Sequence, residues 1–379
     1  MIKLSIPHLA GNEKTYVDRA IESTWIVPLG PMVDEFEHRL EKFLNVQNVV
    51  ALSAGTAAIH LGLVMAGVKR DDEVICQDLT FSASCNPIVY LGARPVFVDS
   101  ERDTWNMDPV LLEHAIKDRI MTTGKKPAAI VPVHLYGMPA KMDRIMEIAM
   151  RDDIPVVEDA AEALGSTFKG RCCGTFGNFG ALSFNGNKII TTSGGGALIC
   201  RTKVEADRVK YLSTQAREPL PYYYHTTIGY NYRLSNVSAA IGCAQIEELE
   251  WRVNRRRAIH DMYVSLLAGV DCVKVKCDTD DRSRSNFWLS TLLLDKDSAP
   301  LSPDELRVAL LDKGIETRLL WRPMHMQPVF ADAPFYGNGV CEDLFGRGLC
   351  LPSGSSLTDE EVATVAEAIK SCLSSVKQS

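Results

Sequence analysis

The sequence predicts an α/β protein built on a largely parallel sheet, followed by a smaller α/β unit. Three observations carry this. Between residues 33 and 158 short apolar runs alternate with amphipathic segments, the order that produces parallel strands covered by helices on both faces. With 379 residues, 46% of them hydrophobic, the chain exceeds one compact unit of average size and can fill more than one core. After residue 180 the alternation gives way to short β-type runs, a long helix and a second mixed segment, so residues 1–245 are expected as a large domain and 246–379 as a small one.

Taken in order, Val33, Phe36, Leu40, Phe43 and Leu44 fall at helical spacing, with Asp34, Glu35, Glu37, Glu41 and Lys42 on the other face, which predicts a surface helix over 33–44. Strands are expected at 49–53, 73–77, 95–98, 128–133 and 154–158, and helices at 56–67, 82–91, 109–118 and 141–151. Asp108-Pro109 supplies an N-cap and a first-turn proline. Residues 49–68 carry no Asp, Glu, Lys or Arg over a membrane-spanning length, but Ser53, Thr56, His60 and three glycines interrupt them. A buried strand, a tight loop and a buried helix are expected there in place of a membrane span.

Beyond residue 180, ALSF and ALIC flank a loop rich in glycine and threonine, and a single long helix is expected over 236–267. Its basic stretch Arg252 to Arg257 is read as a solvated helix face. NFWLSTLLL, a capped helix opening Ser302-Pro303-Asp304-Glu305, the run IETR and a last helix after Thr358 complete the smaller unit.

A net charge of −7 argues against a nucleic-acid partner, which would meet a concentrated basic surface, and leaves local sites for small anions. Eleven cysteines show no CxxC pair and no regular framework, and the first residues lack the basic-then-apolar pattern of a secretory leader. A reduced, cytoplasmic chain without a metal site or membrane span is expected.

Four local features could carry chemistry. Ser53-Ala54-Gly55-Thr56 lies between a strand and a helix, where free backbone N–H groups and the helix dipole suit a phosphate. Val156 to Glu162 (VVEDAAE) ends an apolar strand in carboxylates at the ligand-bearing edge of an open sheet, where a carboxylate can keep a bound heterocycle's ring nitrogen protonated. In Ser183-Phe184-Asn185-Gly186-Asn187-Lys188, small and apolar neighbours leave the lysine poorly solvated, which favours a nucleophilic amine. Gly229 to Asn236 (GYNYRLSN) forms a polar, aromatic cluster before the long helix. Taken singly, each also reads as an ordinary turn, cap or loop.

Their order and spacing are more specific. Together with Gly11-Asn12-Glu13, Gly30-Pro31, His325 and Leu351-Pro352-Ser353-Gly354, they make the chain resemble, over nearly its whole length, the sugar aminotransferases of the DegT/DnrJ/EryC1/StrS family. GNKIITTSGGG, STQARE, GYNYRLSN and SRSNFWLS are most similar to the branch that aminates UDP-linked 4-keto-6-deoxy-N-acetylglucosamine on the route to bacillosamine. The resemblance implies an aspartate-aminotransferase-like fold and pyridoxal 5′-phosphate as cofactor. It implies that Lys188 carries the cofactor as a Schiff base and shuttles protons, and that Asp159 faces the pyridine nitrogen. Gly55, Thr56 and Ser183 would hold the phosphate, Asn231 would reach it from a second subunit of a homodimer, and Phe81 would stack on the ring. Two departures stand out: Glu162 replaces a commoner glutamine, and Ser193-Gly194-Gly195-Gly196 replaces Gly-Glu-Gly-Gly.

The resemblance further implies transfer of an amino group from L-glutamate to carbon 4 of a UDP-linked keto sugar. His325, Arg322 and the Ser285-Asn286 region precede or follow the strands expected in the small unit and are, with Asn187, candidate sugar contacts. Other readings are a dTDP-linked 3- or 4-keto substrate, a dehydratase of the same fold, and a non-catalytic nucleotide-sugar regulator. Lys188 argues against the dehydratases, which carry histidine there. No G-x-G-x-x-G follows the first strand, which argues against a nicotinamide dehydrogenase.

Overall fold

In the computed structural model, which describes residues 1–375, the strands of the large unit form one twisted surface. Their order is Val49–Leu52, Gly196–Cys200, Phe179–Ser183 and Val157–Asp159, then Ala129–Val131, Glu73–Gln77, Arg94–Val98 and Phe335–Tyr336. The two halves meet through the parallel bridges Ile130↔Val156 and Val133↔Asp159. Only Gly196–Cys200 runs against its neighbours, pairing antiparallel with both Val49–Leu52 and Phe179–Ser183. The expected parallel sheet is therefore present, with ALIC as its reversed strand.

The strands Val49–Leu52 and Gly196–Cys200 are buried along their full length, as a sheet covered on both faces requires. Helix Gly55–Met65 lies against the sheet and buries Ala58, Ile59, Leu61 and Leu63. The 49–68 stretch thus resolves into strand, turn and buried helix, and among the described residues no helix is long and apolar enough to cross a membrane. Helix Pro31–Leu44 turns Val33, Phe36 and Leu40 inward as its spacing predicts. The predicted helix 82–91 is split into a short turn Ser82–Ser84 and helix Asn86–Tyr90, since Pro87 enters at the helix start.

The long helix expected over 236–267 is two helices, Asn236–Glu247 and Leu249–Leu267, with Glu248 between them at φ −102°, ψ 9°. Beyond this break, Val273–Val275, Thr291–Leu294, Gly348–Cys350 and Arg318–Leu319 form an antiparallel sheet. Helices Leu249–Leu267, Pro303–Asp312 and Asp359–Ser375 accompany it around a separate core containing Ile259, Tyr263, Leu306, Leu310, Val365 and Ile369. The chain start runs with this unit: Ile2 bridges Ile315, and Ser353 N–H donates to Leu4 C=O. Conversely, Phe335–Tyr336 adds a strand to the large sheet.

Candidate active site

Parallel strands present their C-terminal ends along one edge, and there the chain delivers its chemical groups into a cavity of about 290 Å³. Val49–Leu52 leads to Ser53-Ala54-Gly55-Thr56, and Glu73–Gln77 leads to Thr80 and Phe81. Val157–Asp159 ends on Asp159, and Phe179–Ser183 leads through Asn185 and Asn187 to Lys188. Trp288 and Trp321 close the cavity from the C-terminal unit.

The turn before helix Gly55–Met65 is open because its glycines allow close approach. A Cβ on Gly55 would come within 2.9 Å of Ser183 Cβ, and one on Gly196 within 2.5 Å of the Gly55 nitrogen. The first backbone N–H groups of the helix, with the Thr56 and Ser183 hydroxyls nearby, thus form a cradle on the cavity wall suited to an anion.

Asp159 is 6% exposed and tightly held. Ser84 Oγ donates to Asp159 Oδ2 at 2.5 Å, Thr80 Oγ1 lies 2.7 Å from Ser84 Oγ, and Ala161 N–H donates to Oδ1 at 3.1 Å. Lys188 Nζ lies 3.5 Å from Glu162 Oε1 and 4.1 Å from the centre of the Trp288 ring. Glu162 Oε2 accepts the Tyr136 N–H at 2.7 Å. Tyr136 sits in the left-handed region at φ 55°, a strained backbone for a bulky residue, and its hydroxyl accepts the Trp321 N–H at 2.8 Å. Burial pushes the Glu162 carboxyl above its ordinary value, and Lys188 opposes this only in part.

The structure brings Gly55, Thr56, Phe81, Asp159, Glu162, Ser183, Asn187 and Lys188 to one cavity. Asn231 is elsewhere, exposed in a separate groove with Pro28, Leu29, Arg217 and Arg233. Its loop is fixed from behind, where Arg233 Nη1 donates to buried Glu37 at 2.6 Å and to Ala51 C=O at 2.8 Å.

The remaining candidates do not line the cavity. Ser285 and Asn286 are fully buried. Asn286 Nδ2 donates to the carbonyls of Glu162 and Leu164 at 3.0 and 2.9 Å, and its Oδ1 accepts the Trp288 N–H at 2.8 Å. It clamps the acidic turn to the tryptophan wall, which leaves no polar atom for a sugar. His325 is held by Asp78, whose Oδ1 and Oδ2 accept from its N–H and ring at 2.8 and 2.7 Å, and its ring stacks on Phe335. Arg322 is exposed outside the cavity.

Sequence reasoning missed Ser84, Thr80, Tyr136, Trp288 and Trp321 as site residues. SRSNFWLS held Trp288 inside a motif already singled out, whereas Ser84 and Tyr136 reach the site only through long-range strand order.

The DegT/DnrJ/EryC1/StrS aminotransferase family matches residues 7–370. The chain belongs to that family. The Bacillus subtilis protein EpsN, named as a pyridoxal phosphate-dependent aminotransferase, is 48% identical over 372 residues, covering 97% of this chain and 95% of EpsN. GDP-perosamine synthase of Escherichia coli O157:H7 is 39% identical over 363 residues, covering 96% of each chain. The crystal structure of a DegT DnrJ EryC1 StrS aminotransferase from Brucella abortus superposes with a TM-score of 0.89 at 29% identity, covering 96% of this chain and 95% of that one. Membership makes this chain a pyridoxal-phosphate-dependent sugar aminotransferase of the aspartate-aminotransferase-like fold.

Proposed function

We propose that the chain moves an amino group from L-glutamate to carbon 4 of UDP-2-acetamido-2,6-dideoxy-xylo-hexos-4-ulose, giving the UDP-4-amino sugar. The observation that carries the chemistry is the convergence of Lys188, Asp159 and the glycine-lined cradle in one cavity. Those residues fit pyridoxal phosphate: the cradle and the Thr56 and Ser183 hydroxyls would hold its phosphate, Phe81 would cover the ring, and Asp159 would face the ring nitrogen. When bound, the cofactor supplies an electron sink for the carbon that loses a proton. Lys188 would carry it and, once released, take the proton from the donor's α-carbon and deliver one to carbon 4 of the sugar. Ser84 and Thr80 keep Asp159 oriented, while the Trp288 and Trp321 rings exclude water around the lysine amine.

In this reading the protein works as a homodimer in which Asn231 completes the partner's phosphate site. The exposure of Trp25, Ile26, Tyr223 and Ile228, at 43, 63, 80 and 81%, in the segments that lead to the groove carrying Asn231, supports a second copy packing over that face. The large cofactor-binding domain is assigned to residues 1–245 and the small one to 246–379.

UDP as the carrier rests on GNKIITTSGGG, STQARE and SRSNFWLS. The 39% identical GDP-perosamine synthase supports a nucleotide sugar and makes GDP the rival carrier. Steady-state kinetics with L-glutamate and UDP-, GDP- and dTDP-linked 4-keto-6-deoxy sugars test the choice. A site that hydrogen-bonds the acetamide and uracil should favour the UDP sugar over the dTDP sugar lacking the acetamide by at least ~100-fold in kcat/KM. Equal efficiency, or a preference for another carrier, overturns the substrate and leaves the aminotransferase chemistry standing.

A further inference from the structure

The basic stretch of helix Leu249–Leu267 is not the solvated face its composition suggests. Arg255 and Arg257 do pair at the surface, with Asp359 at 2.7 Å and Asp278 at 3.0 Å. Arg252 and Arg256, one turn apart on the inner side, are 2% and 1% exposed. Arg256 donates to the Trp288 carbonyl at 2.5 Å and to Ser5 Oγ at 3.1 Å, both neutral acceptors. Among the described residues Arg252 makes no side-chain hydrogen bond, neither guanidinium has a carboxylate within ion-pair distance, and the Nε of each is buried without a partner.

The charge around them does not balance. Glu13 faces Arg252 from beyond ion-pair range, and its oxygens are engaged by the N–H groups of Ala10 and Gly11 at 2.5 and 2.9 Å and by Gln245 Nε2 at 2.5 Å. Glu248, the other acid acting on Arg252, is exposed. Burial and the neighbouring Arg252 push Arg256 down to about 9, which leaves it charged at neutral pH. Burial, with both arginines, holds His8 below its ordinary value, so its ring adds no charge there. Two buried cations therefore face one buried carboxylate, and an uncompensated buried charge is strongly unfavourable.

We propose that Arg252 and Arg256 together bind one small monovalent inorganic anion, chloride in the first instance, beneath the N-terminal segment Ser5–His8. One negative charge closes the balance, and an Nε donor on each guanidinium is free to hold it. The near-complete burial of both side chains limits the occupant to a small ion. Its position also bears on the cavity. Ser5 Oγ and Trp288 Nε1, two groups attached to the Arg256 contacts, both donate to the Asn187 carbonyl, at 3.1 and 2.7 Å, next to Lys188. An anion that fixes Arg256 thereby steadies the loop that carries the lysine.

The test uses the full-length, cofactor-loaded protein and its Arg252→Met variant, which removes one of the two guanidiniums and leaves Arg256 without a second cation beside it. At constant ionic strength, replacing isethionate, too large for an enclosed site, by 0.2 M chloride should raise the wild-type Tm by at least ~2 °C and leave Arg252→Met unmoved. Crystals soaked in bromide should show an anomalous peak against both guanidiniums. Equal wild-type Tm in the two salts overturns the proposal, and so does an equal chloride response in Arg252→Met. If that variant does not fold, the bromide map decides: a peak between the guanidiniums sustains the site, and an empty map removes it.

Discussion

Ser84→Ala isolates the support of the acidic residue assigned to the cofactor ring. Ser84 is fully buried, and its hydroxyl donates at 2.5 Å to Asp159 Oδ2, leaving Ala161 N–H as the other donor to that carboxylate within the chain. A hydrogen bond to a charged group contributes about 1.5–3 kcal/mol, and alanine leaves the space dry with Thr80 Oγ1 also deprived of its partner. If Asp159 must be held in one orientation while charge develops on the ring, that loss falls on the transition state and lowers the rate by about ten- to a hundredfold. The assay is the single-turnover half-reaction with L-glutamate alone, followed by the visible spectrum of the bound cofactor. The rate constant at saturating glutamate should fall by that factor while the half-saturating concentration changes little. Ser84→Ala turning over within about twofold of wild type, at any cost in stability, would show that the Thr80–Ser84 chain does not orient Asp159 for the reaction.

Three further outcomes follow from the geometry. Asn286→Ala removes a buried side chain that satisfies two carbonyls and one N–H, so it should destabilise the protein by about 3 kcal/mol in denaturant unfolding. A loss below about 1 kcal/mol would mean that the clamp between the acidic turn and Trp288 is dispensable. Burial raises the Glu162 carboxyl, so the fold favours its protonated form, and the associated stability is present at low pH and lost as pH rises through the raised value. In cofactor-free protein, Glu162→Gln should therefore gain stability relative to wild type between pH 4 and pH 8, and a constant difference would place the carboxylate in a solvated environment. Mixing Lys188→Ala with Asn231→Ala should restore activity through hybrid dimers that contain one site with both native residues, whereas full activity in a sedimenting monomer would exclude a shared site.

Much of this fold was legible because its signals are local. The apolar runs at 73–77 and 95–98 are strands at Glu73–Gln77 and Arg94–Val98, and the caps at Asp108 and Ser302 start helices as their side chains predict. The 236–267 helix was not legible as two pieces, because no proline or glycine marks the break at Glu248. The residues that line the cavity lie at strand ends, where apolar runs stop at polar or small residues, so Asp159 and Gly55 could be read directly. Ser84, Tyr136 and Trp321 could not, since each acts through a partner 75, 26 or 185 positions away. The same limit explains Arg252 and Arg256: a run of four arginines within six residues reads as surface, and only the helix's rotation against the N-terminal segment decides which two are buried. Ser285 and Asn286 stand beside a strand of the small unit, a place that suits a sugar contact, but their burial gives them a structural task in joining the two units.

Whether Lys188 is the cofactor lysine is decided by reducing the pyridoxal-phosphate-loaded protein with borohydride and locating the phosphopyridoxyl group by peptide mass spectrometry. The cavity that joins Lys188 to Asp159 and the glycine-lined cradle predicts that the label falls on the peptide containing Asn187-Lys188 and is absent from Lys188→Ala. A stoichiometric label on another lysine, such as Lys169 beside Asp143 or Lys203 beside Asp207, would contradict it.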